Sequence, residues 1–435
     1  MNNKAKQTKK KPAVKLAPLA LRLLQITEVL DKVLRFNFPA DAVVSKWFKE
    51  NRQLGGRDRG EVAEAVFDVL RHLRRYRHYA ESGVGASNRR LAILGMVHTL
   101  DKEAVLAVLD VQEKDWLERV LKINDTALVS AVRYSLPEWL FNELSQQENA
   151  DALMRSLNTK APLDLRVNPL KKGRAAVLAQ LQEDSSLQAL NMRPTPYSPW
   201  GFRFDGKPAI NRWDLFEKGE IEVQDEGSQL LCMLVSPRRS DMVIDFCAGA
   251  GGKTLLLGAM MCSQGRLYAF DVSSARLAKA KPRLARSGLS NVTCIVLDNE
   301  NDVRAKRLAG KAQRVLVDAP CSGIGTLRRN PDLKWRQTPT DLRELTELQA
   351  RILNSAARCV APGGRLIYST CSLLPQENEQ QIQAFLQVHK DFKLIPFEKV
   401  LGDRNPGLSS VDGMLHLRPD VHETDGFFAA VLERA

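Results

Sequence analysis

The first third of the chain carries apolar residues at helical spacing. They recur three and four positions apart in residues 20–30, 61–71 and 90–100, and few segments alternate apolar with polar side chains as strands do. This spacing predicts amphipathic helices, each with one buried face. We therefore predict an all-α domain over residues 16–149.

A short region of different character follows over residues 150–223. Residues 161–168 alternate in the manner of a strand, and Pro169 closes the segment. A helical stretch over residues 173–182 comes next, and then a region rich in proline, glycine and aromatic residues that extends through Trp213. The pattern predicts a small α/β module with a strand, a helix and further strands.

The remainder of the chain, residues 224–435, alternates strands with helices. The predicted strands are residues 241–246, 265–271, 291–298, 313–318 and 364–370. Each of the first four ends at or beside an aspartate, and doubly wound sheets bind ligands at the carboxyl ends of their strands. A final antiparallel pair is predicted at the sheet edge, over residues 413–418 and 426–432. The fold class is therefore α/β, with the doubly wound domain over residues 224–435.

The composition is that of a soluble globular protein, with 44% hydrophobic and 26% charged residues in 435. The chain carries neither a run of about 20 apolar residues nor an apolar signal core, so we expect a cytoplasmic protein with no membrane partner. Its seven cysteines include no Cys-x-x-Cys pair. This spacing fits neither a disulfide framework nor a zinc site, and it predicts free thiols and no metal.

The chain is basic, with a formal net charge of +13 at pH 7. Residues 1–15 hold six lysines and no acidic residue, which predicts a disordered tail. Either the tail is simply solvated, or it adds long-range attraction to RNA phosphates. Residues 71–79 interleave four arginines and two histidines with two tyrosines. They predict phosphate contacts and base stacking, unless the segment is a solvated helix end whose tyrosines pack inward.

A glycine-rich loop over residues 245–254 joins the first strand of the C-terminal domain to a helix. A phosphate-binding P-loop needs glycine where Cys247 stands, and a dinucleotide fingerprint that starts at Gly249 needs glycine where Thr254 stands. A tight turn without a ligand is a further alternative.

A site for S-adenosylmethionine fits this loop better, because it needs a glycine-rich turn without a pyrophosphate cradle. It also needs a carboxylate at the end of the second strand for the ribose hydroxyls, and Asp271 lies there. Asp298, at the end of the third strand, is placed to meet the adenine amino group.

Two cysteines follow the fourth and fifth strands: Cys321 in Asp-Ala-Pro-Cys-Ser-Gly and Cys371 in Tyr-Ser-Thr-Cys-Ser. Strands one, four and five of such a sheet are neighbours, so the two loops should converge beside the nucleotide. A thiolate that adds to C6 of cytosine makes C5 nucleophilic enough to take a methyl group, and a second thiol can help to undo the adduct. Asp318 is placed to stabilise the charge that develops near N3.

The alternative for both thiols is that of small buried hydrophobes. We expect that role for the cysteines within or beside apolar stretches, which are Cys232, Cys262, Cys294 and Cys359. The segment after Cys321 adds three cations, predicted either to hold substrate phosphates or to be surface charges: Arg328, Arg329 and Lys334.

Together these motifs resemble the RNA cytosine-5 methyltransferases of the RsmB/Nop/Sun group. The matching segments span nearly all of the chain after Gln224: Gln224-Asp-Glu-Gly-Ser-Gln, Asp245-Phe-Cys-Ala-Gly-Ala-Gly-Gly-Lys-Thr, Asp318-Ala-Pro-Cys-Ser-Gly-Ile-Gly, Arg329-Asn-Pro-Asp-Leu-Lys-Trp, Tyr368-Ser-Thr-Cys-Ser, Pro375-Gln-Glu-Asn-Glu and Asp425-Gly-Phe-Phe. One difference is that the family loop usually reads Cys-Ala-Ala-Pro-Gly-Gly-Lys-Thr, whereas Gly249 and Ala250 stand here in place of the Ala-Pro pair.

The resemblance implies a Rossmann-like domain that uses S-adenosylmethionine. It implies that Cys371 attacks C6 of the base and that Cys321 helps to free the product. It also implies that the cofactor is held by Cys247, Ala248, Gly249, Ala250, Gly251, Gly252, Lys253, Asp271, Asp298 and Asp318.

The helical N-terminal region more loosely resembles the NusB-type RNA-binding domain of the bacterial ribosomal members. The middle module resembles the small α/β RNA-binding extension that those enzymes carry before the catalytic domain. Both resemblances favour 16S rRNA as the substrate, and they imply no oligomeric partner. The alternatives are a tRNA cytosine-5 methyltransferase and a non-catalytic RNA-binding factor for ribosome assembly.

Overall fold

A computed structural model of the protein describes residues 17–206 and 208–435. The predicted basic tail, residues 1–15, lies outside the described residues. The chain divides after Glu138 into two compact units. In the described residues, no helix has the length and apolar character needed to cross a membrane.

The first unit is helical throughout its described part, as the apolar spacing predicts. Its helices are α1 (Pro18–Val33), α2 (Ala40–Glu50), α3 (Gly56–Arg71), α4 (Leu73–Ala80), α5 (Ser87–Thr99), α6 (Lys102–Leu106), α7 (Val111–Leu121), a 3-10 turn (Asp125–Ala127) and α8 (Ser130–Arg133). Helix α5 packs against α1 and α3. Gly95 allows the close contact between α5 and α3, because a Cβ there would lie 2.7 Å from the carbonyl oxygen of Ala65.

The tyrosines of the basic segment pack inward, so the prediction that they stack on bases is wrong. Tyr76 is 1% exposed, and its hydroxyl donates to Asp68 Oδ2 at 2.7 Å. Tyr79 is also buried and donates to Asp125, which pairs with Arg75 as well. A tyrosine side chain can be buried in a core when its hydroxyl group has a hydrogen-bond acceptor there.

The second unit begins with two helices and a small antiparallel sheet, which confirms the predicted α/β module. Its elements are α9 (Glu138–Ser145), α10 (Ala150–Leu157), β1 (Leu163–Val167), α11 (Arg174–Gln182), a 3-10 turn (Ser185–Leu190), β2 (Arg193–Pro194), β3 (Gly201–Phe204), a 3-10 turn (Ile210–Arg212), α12 (Asp214–Glu217) and β4 (Ile221–Val223). The strand order is β2-β3-β1-β4. Leu165, Phe202 and Ile221 are each 0% exposed in its core.

The large sheet has the predicted parallel strands and an antiparallel edge. Its strands are β5 (Met242–Asp245), β6 (Arg266–Asp271), β7 (Val292–Val296), β8 (Ala312–Asp318), β9 (Val360–Thr370), β10 (Phe392–Ile395), β11 (Leu415–Leu417) and β12 (Phe427–Arg434). The order is β10-β12-β9-β8-β5-β6-β7, with β11 beside β12. Strands β5 to β9 are parallel, and β12 is antiparallel to its three neighbours. Strand β10 was not predicted.

Helices cover this sheet on both faces, and each face has its own apolar core. They are α13 (Glu226–Val235), α14 (Gly252–Met260), α15 (Ser274–Ser287), α16 (Val303–Lys306), a 3-10 turn (Ile324–Thr326), α17 (Leu333–Arg336), α18 (Pro339–Ala357), α19 (Glu379–Val388), α20 (Phe397–Leu401), a 3-10 turn (Gly402–Arg404) and α21 (Pro419–His422). A doubly wound sheet of this kind places its ligand site at the carboxyl ends of the parallel strands.

A buried ion pair in the small sheet gives a test of the fold. Arg203 and Asp164, on neighbouring strands, have side chains 2% and 0% exposed, with Nε and Oδ1 2.6 Å apart. Arg203→Ala leaves Asp164 buried without its cation, so we expect a loss of about 3–5 kcal/mol in the free energy of unfolding. Arg193→Ala breaks a pair with Asp205 whose side chains are 40% and 49% exposed, and it should cost less than about 1 kcal/mol. Urea unfolding followed by circular dichroism measures both, and equal losses would contradict the prediction.

Candidate active site

A cavity of about 620 Å³ lies at the carboxyl ends of β5, β6, β8 and β9. This is within the usual size range of small-molecule sites. The predicted site residues that line it are Cys247, Ala248, Gly249, Ala250, Gly252, Lys253, Asp271, Asp318, Cys321 and Cys371. Lining residues without a predicted role include Ser228, Val272, Arg276, Asn299, Glu300, Leu348 and Ile352.

The loop from β5 to α14 depends on two glycines with positive φ. Gly249 has φ +57° and Gly251 has φ +80°, a region that other residues rarely adopt. Gly251 also lies against α15, since a Cβ there would be 3.0 Å from the Cβ of Ala280. At Gly249 the corresponding space is open. The loop therefore exposes backbone toward the cavity, and it leads into the N-terminus of α14, which favours polar or anionic groups.

Asp271 ends β6, where the prediction placed it, and its carboxylate holds this loop. Its Oδ2 accepts from the backbone N–H of Gly249 at 2.8 Å, and its Oδ1 accepts from the N–H of Ser273 at 2.7 Å. Arg276 approaches the same Oδ1 at 3.2 Å with a side chain that is 55% exposed. A carboxylate has about four acceptor positions, so Asp271 can still accept from a ligand hydroxyl.

Asp298 lies beside the cavity, not on its wall. Its side chain is 85% exposed and pairs with Arg304 at 3.2 Å. From the same loop, Leu297, Asn299 and Glu300 line the cavity. The contact between Asp298 and adenine stays a prediction, and Asn299 is a neighbouring candidate that the spacing of aspartates could not indicate.

Asp245 fits the ammonium group of an amino-acid ligand. Its Oδ2 accepts from Thr254 Oγ1 at 2.7 Å, whereas its buried Oδ1 has no hydrogen-bond partner in the structure. Burial raises the pKa of this carboxyl to about 7. An unsatisfied buried acceptor on a cavity wall is costly unless a ligand donates to it. The methionyl part of S-adenosylmethionine carries such a donor, so the residues present suit that molecule.

Lys253 and Asp318 form an ion pair on the wall of the cavity. Lys253 Nζ lies 2.7 Å from Asp318 Oδ2, and Ser369 Oγ donates to Oδ1 at 3.3 Å. Burial alone lowers the pKa of Lys253, but the Asp318 carboxylate outweighs it and raises the pKa above its ordinary value. The thiol of Cys371 also interacts with the Lys253 charge. Lys253 is therefore a permanent cation beside Asp318 and Cys371.

The two predicted thiols meet at the edge of the cavity. Strands β8 and β9 are parallel neighbours, and the loops after them bring Cys321 Sγ to 3.3 Å from Cys371 Sγ. Backbone bonding fixes this geometry, because the N–H of Gly325 donates to the carbonyl of Cys371 at 2.9 Å. The hydroxyls of Ser322 and Ser372 are also 3.3 Å apart. The predicted convergence of the two loops is therefore present.

Glu377 is a buried carboxylate behind Cys321, and the motifs gave it no role. It is 0% exposed, and its donors are neutral: the N–H and hydroxyl of Ser322, at 2.8 and 2.5 Å, and the amide of Gln349, at 3.0 Å. The pKa of Cys321 lies well above its ordinary value because of its hydrogen bond with Cys371, its burial and the charge of Glu377. A cation thus flanks Cys371, whereas an anion flanks Cys321.

The other cysteines lie apart from this pair, and all seven are free. Cys232 and Cys359 are buried, as predicted for structural thiols, and each S–H donates to a backbone carbonyl at 3.6 Å. Burial raises the pKa of both thiols, to about 12 and about 11 respectively. Cys262 and Cys294 are half-buried.

Arg328 and Lys334 are buried structural cations, so both predicted roles are wrong for these two residues, whereas Arg329, with a side chain 30% exposed, is held in ion pairs. Arg328 is 8% exposed and Lys334 is 1% exposed, so neither is a surface charge. Lys334 Nζ donates to Asn158 Oδ1 at 2.8 Å, and Arg329 pairs with both Asp225 and Asp425, at 2.8 and 2.5 Å. These side chains connect the loop after Cys321 to the small module and to the segment before β12.

A mixed sheet of this order, with a glycine-rich loop and carboxylates at its strand ends, defines a Rossmann-like methyltransferase domain. A solved structure described as a methyltransferase homolog protein from Pyrococcus horikoshii is similar to this chain. It has 29% sequence identity, covers 72% of this chain and 100% of its own, and has a TM-score of 0.61.

Residues 232–433 match the family described as 16S rRNA methyltransferase RsmB/F, and residues 136–211 match the ferredoxin-like domain of RsmF/B-like methyltransferases. A probable ribosomal RNA small subunit methyltransferase B from Synechocystis sp. is 39% identical over 70% of this chain and 68% of its own. One from Bacillus subtilis is 32% identical over 72% and 69%. The chain belongs to the RsmB/F family. The predicted resemblance, fold class and enzyme class, RNA cytosine-5 methyltransferase, are thereby confirmed.

The charge of Glu377 yields a prediction about Cys321. Glu377→Gln preserves the size of the side chain and removes the anion, so the pKa of the Cys321 thiol should fall and its alkylation should begin at lower pH. Glu379→Gln makes the same charge change two residues away, where the carboxylate pairs with His416, and serves as the matched control. The measurement is the rate of iodoacetamide labelling of Cys321 against pH, read by peptide mass spectrometry. Identical pH profiles for the two variants would contradict the role given to Glu377.

Proposed function

We propose that this protein transfers a methyl group from S-adenosylmethionine to C5 of a cytosine in 16S rRNA. The observation that carries the proposal is the pair of sulfur atoms 3.3 Å apart at the edge of the cavity below the glycine-rich loop. The two relatives are named as ribosomal RNA small subunit methyltransferases, which supports ribosomal RNA over transfer RNA as the substrate. Paired thiols on the cavity wall also favour an enzyme over a non-catalytic assembly factor.

The residues of the loop and its neighbours would hold the methyl donor. Asp271 would accept from the ribose hydroxyls, the free oxygen of Asp245 would accept from the ammonium group, and the loop from Cys247 to Lys253 would supply backbone contacts. Asn299 or Asp298 would meet the adenine. When bound, S-adenosylmethionine supplies a methyl group on a positively charged sulfur.

Cys371 is the proposed nucleophile. Its thiolate adds to C6 of the cytosine, and the electron pair of the C5–C6 double bond becomes available at C5 for methylation. The pKa of Cys321 lies well above its ordinary value, so Cys321 keeps its proton and can donate its S–H to the Cys371 thiolate. Asp318, which is paired with Lys253 and accepts from Ser369, is the group proposed to face N3, where a proton shared between its carboxylate and N3 would offset the negative charge that the thiolate brings to the ring.

Cys321 is proposed to act in release. The methylated adduct must lose the proton at C5 so that the C6–sulfur bond can break and Cys371 can leave as a thiolate. Once Cys371 is bonded to carbon it carries no charge and no longer needs the proton of Cys321. As water takes the C5 proton and the C6–sulfur bond breaks, Cys321, 3.3 Å from the sulfur that leaves, can donate its S–H to the departing thiolate.

The remaining parts of the chain fit an RNA-directed enzyme. We propose the predicted organisation of a helical RNA-binding domain (residues 16–149), a small extension (residues 150–223) and a catalytic domain (residues 224–435). The unit boundary after Glu138 and the two matched segments support this order. Free thiols at the site need a reducing compartment, so we place the protein in the cytoplasm.

Two substitutions distinguish the roles of the thiols. Cys321→Ala should form the bond to C6 but release the product slowly, so a covalent protein–RNA band should accumulate on a denaturing gel. Cys371→Ala should form no such band and should show no methyl transfer, because the nucleophile is gone. The measurement uses S-adenosylmethionine and 16S rRNA, with bisulfite sequencing to identify the methylated base.

The control is Cys359→Ala, which removes a buried thiol from one of the two apolar cores that pack against the large sheet. This variant should methylate RNA at the rate of the unmodified protein, and it should form no stable adduct. Full activity in Cys371→Ala would reject the proposed nucleophile. Activity on tRNA with none on 16S rRNA would reject the proposed substrate.

A further inference from the structure

One arginine outside the cavity reaches the cofactor loop from α15. Arg283 Nη1 donates to the carbonyl oxygen of Ala250 at 2.8 Å. We propose that Arg283 is a positioning residue for the S-adenosylmethionine loop, and that Glu222 of the small module anchors it there. The inference rests on the proposed function, since it assigns this pair of residues to cofactor binding.

The loop needs such a tether at Ala250. This residue stands between Gly249 and Gly251, which have φ +57° and +80°, and glycines leave a chain with many alternative conformations. The N–H of Gly249 is held by Asp271 at 2.8 Å, and the N–H of Gly251 by the carbonyl of Ala248 at 2.9 Å. The Ala250 carbonyl accepts from Arg283, so the centre of the loop is fixed by a side chain from a different element.

Glu222 fixes the direction in which Arg283 points. The carboxylate of Glu222, on β4, has a side chain only 5% exposed. Its Oε2 accepts from Arg283 Nε at 3.3 Å and from Nη2 at 3.1 Å, which leaves Nη1 for the loop. Two bonds from the rigid, planar guanidinium to one oxygen hold it in one orientation. Glu222 therefore determines where the donor to Ala250 lies.

Arg286 provides a matched comparison on the same helix. It lies one turn after Arg283 and donates to the other oxygen of Glu222, with Nη2 at 2.5 Å from Oε1. Both arginine side chains are 22% exposed. The guanidinium of Arg286 stacks over the ring of Phe216 at 4.0 Å. Neutralising either arginine changes the local charge equally, but Arg283→Gln alone removes the bond to Ala250.

The experiment compares R283Q with R286Q in the full-length protein. Isothermal titration with S-adenosylmethionine gives the Kd, and steady-state methylation of 16S rRNA gives KM for the cofactor and kcat. We expect R283Q to raise Kd and KM for the cofactor about three- to tenfold, the loss of about one hydrogen bond. R286Q should stay within about twofold of the unmodified protein, and kcat at saturating cofactor should change little in both.

Two further variants test the anchoring step. E222Q should weaken cofactor binding in the same direction as R283Q, because Arg283 loses the charge that orients it. R283K keeps a cation beside Glu222 but lacks the planar fork that reaches both partners, so its Kd should lie between those of R283Q and the unmodified protein. Thermal melting of each variant separates loop effects from general instability.

Three outcomes would overturn the inference. An unchanged Kd in R283Q would show that the hydrogen bond from Arg283 to Ala250 plays no part in cofactor binding. An equal loss of cofactor affinity in R286Q would assign the effect to charge alone. A Kd in R283K as weak as that of R283Q, with a matching fall in melting temperature, would make Arg283 a folding residue. Failure of the proposed function is distinguishable, since then the unmodified protein itself would bind no S-adenosylmethionine.

Discussion

Parallel pairing of β8 with β9 is the constraint on which the site depends. Two parallel neighbours end at the same edge of a sheet, so the residues that follow them in sequence meet in space although 50 positions separate Cys321 from Cys371. The approach is then set by backbone. A Cβ at Gly325 would lie 2.8 Å from the carbonyl oxygen of Cys371 and 2.1 Å from that of Gly426, so any other residue there would push the loop after β8 away from the loop after β9. Strand register and this glycine thus allow the close approach of the two loops, in which the sulfur atoms lie 3.3 Å apart.

Two like thiols at that distance become unlike because their surroundings differ in charge. Lys253 lies on the side of Cys371, and buried Glu377 lies on the side of Cys321. In a water-poor site such charges act strongly, and the bond with Cys371, burial and the charge of Glu377 together raise the pKa of Cys321. Sequence motifs show that two cysteines are present, whereas the structure shows that the charges around them differ.

The parts of the structure that depend on local pattern could be predicted from the sequence. The strands, the glycine-rich loop and Asp271 are fixed by periodicity and by their neighbours along the chain. Burial of charged or amphipathic side chains could not be predicted in this way, because it depends on partners far away in sequence. Tyr76 is buried because Asp68 accepts a hydrogen bond from its hydroxyl, and Arg329 is held by Asp425, almost a hundred residues later. A basic segment therefore indicates charge, but whether that charge faces RNA or a buried carboxylate is decided by the tertiary structure.

Contacts between residues far apart in sequence also connect the small module to the catalytic sheet. Glu222 belongs to a strand of the module, yet it orients an arginine that holds the cofactor loop. A movement of Glu222 therefore affects both the small module and the arginine at the cofactor loop. If RNA bound to the module displaces β4, the free energy of cofactor binding must change, and cofactor binding must change the affinity for RNA by the same factor. A chain that carries this module next to the cofactor loop thus has a physical route, through one buried carboxylate, by which RNA bound at the module and the bound cofactor would change each other's affinity.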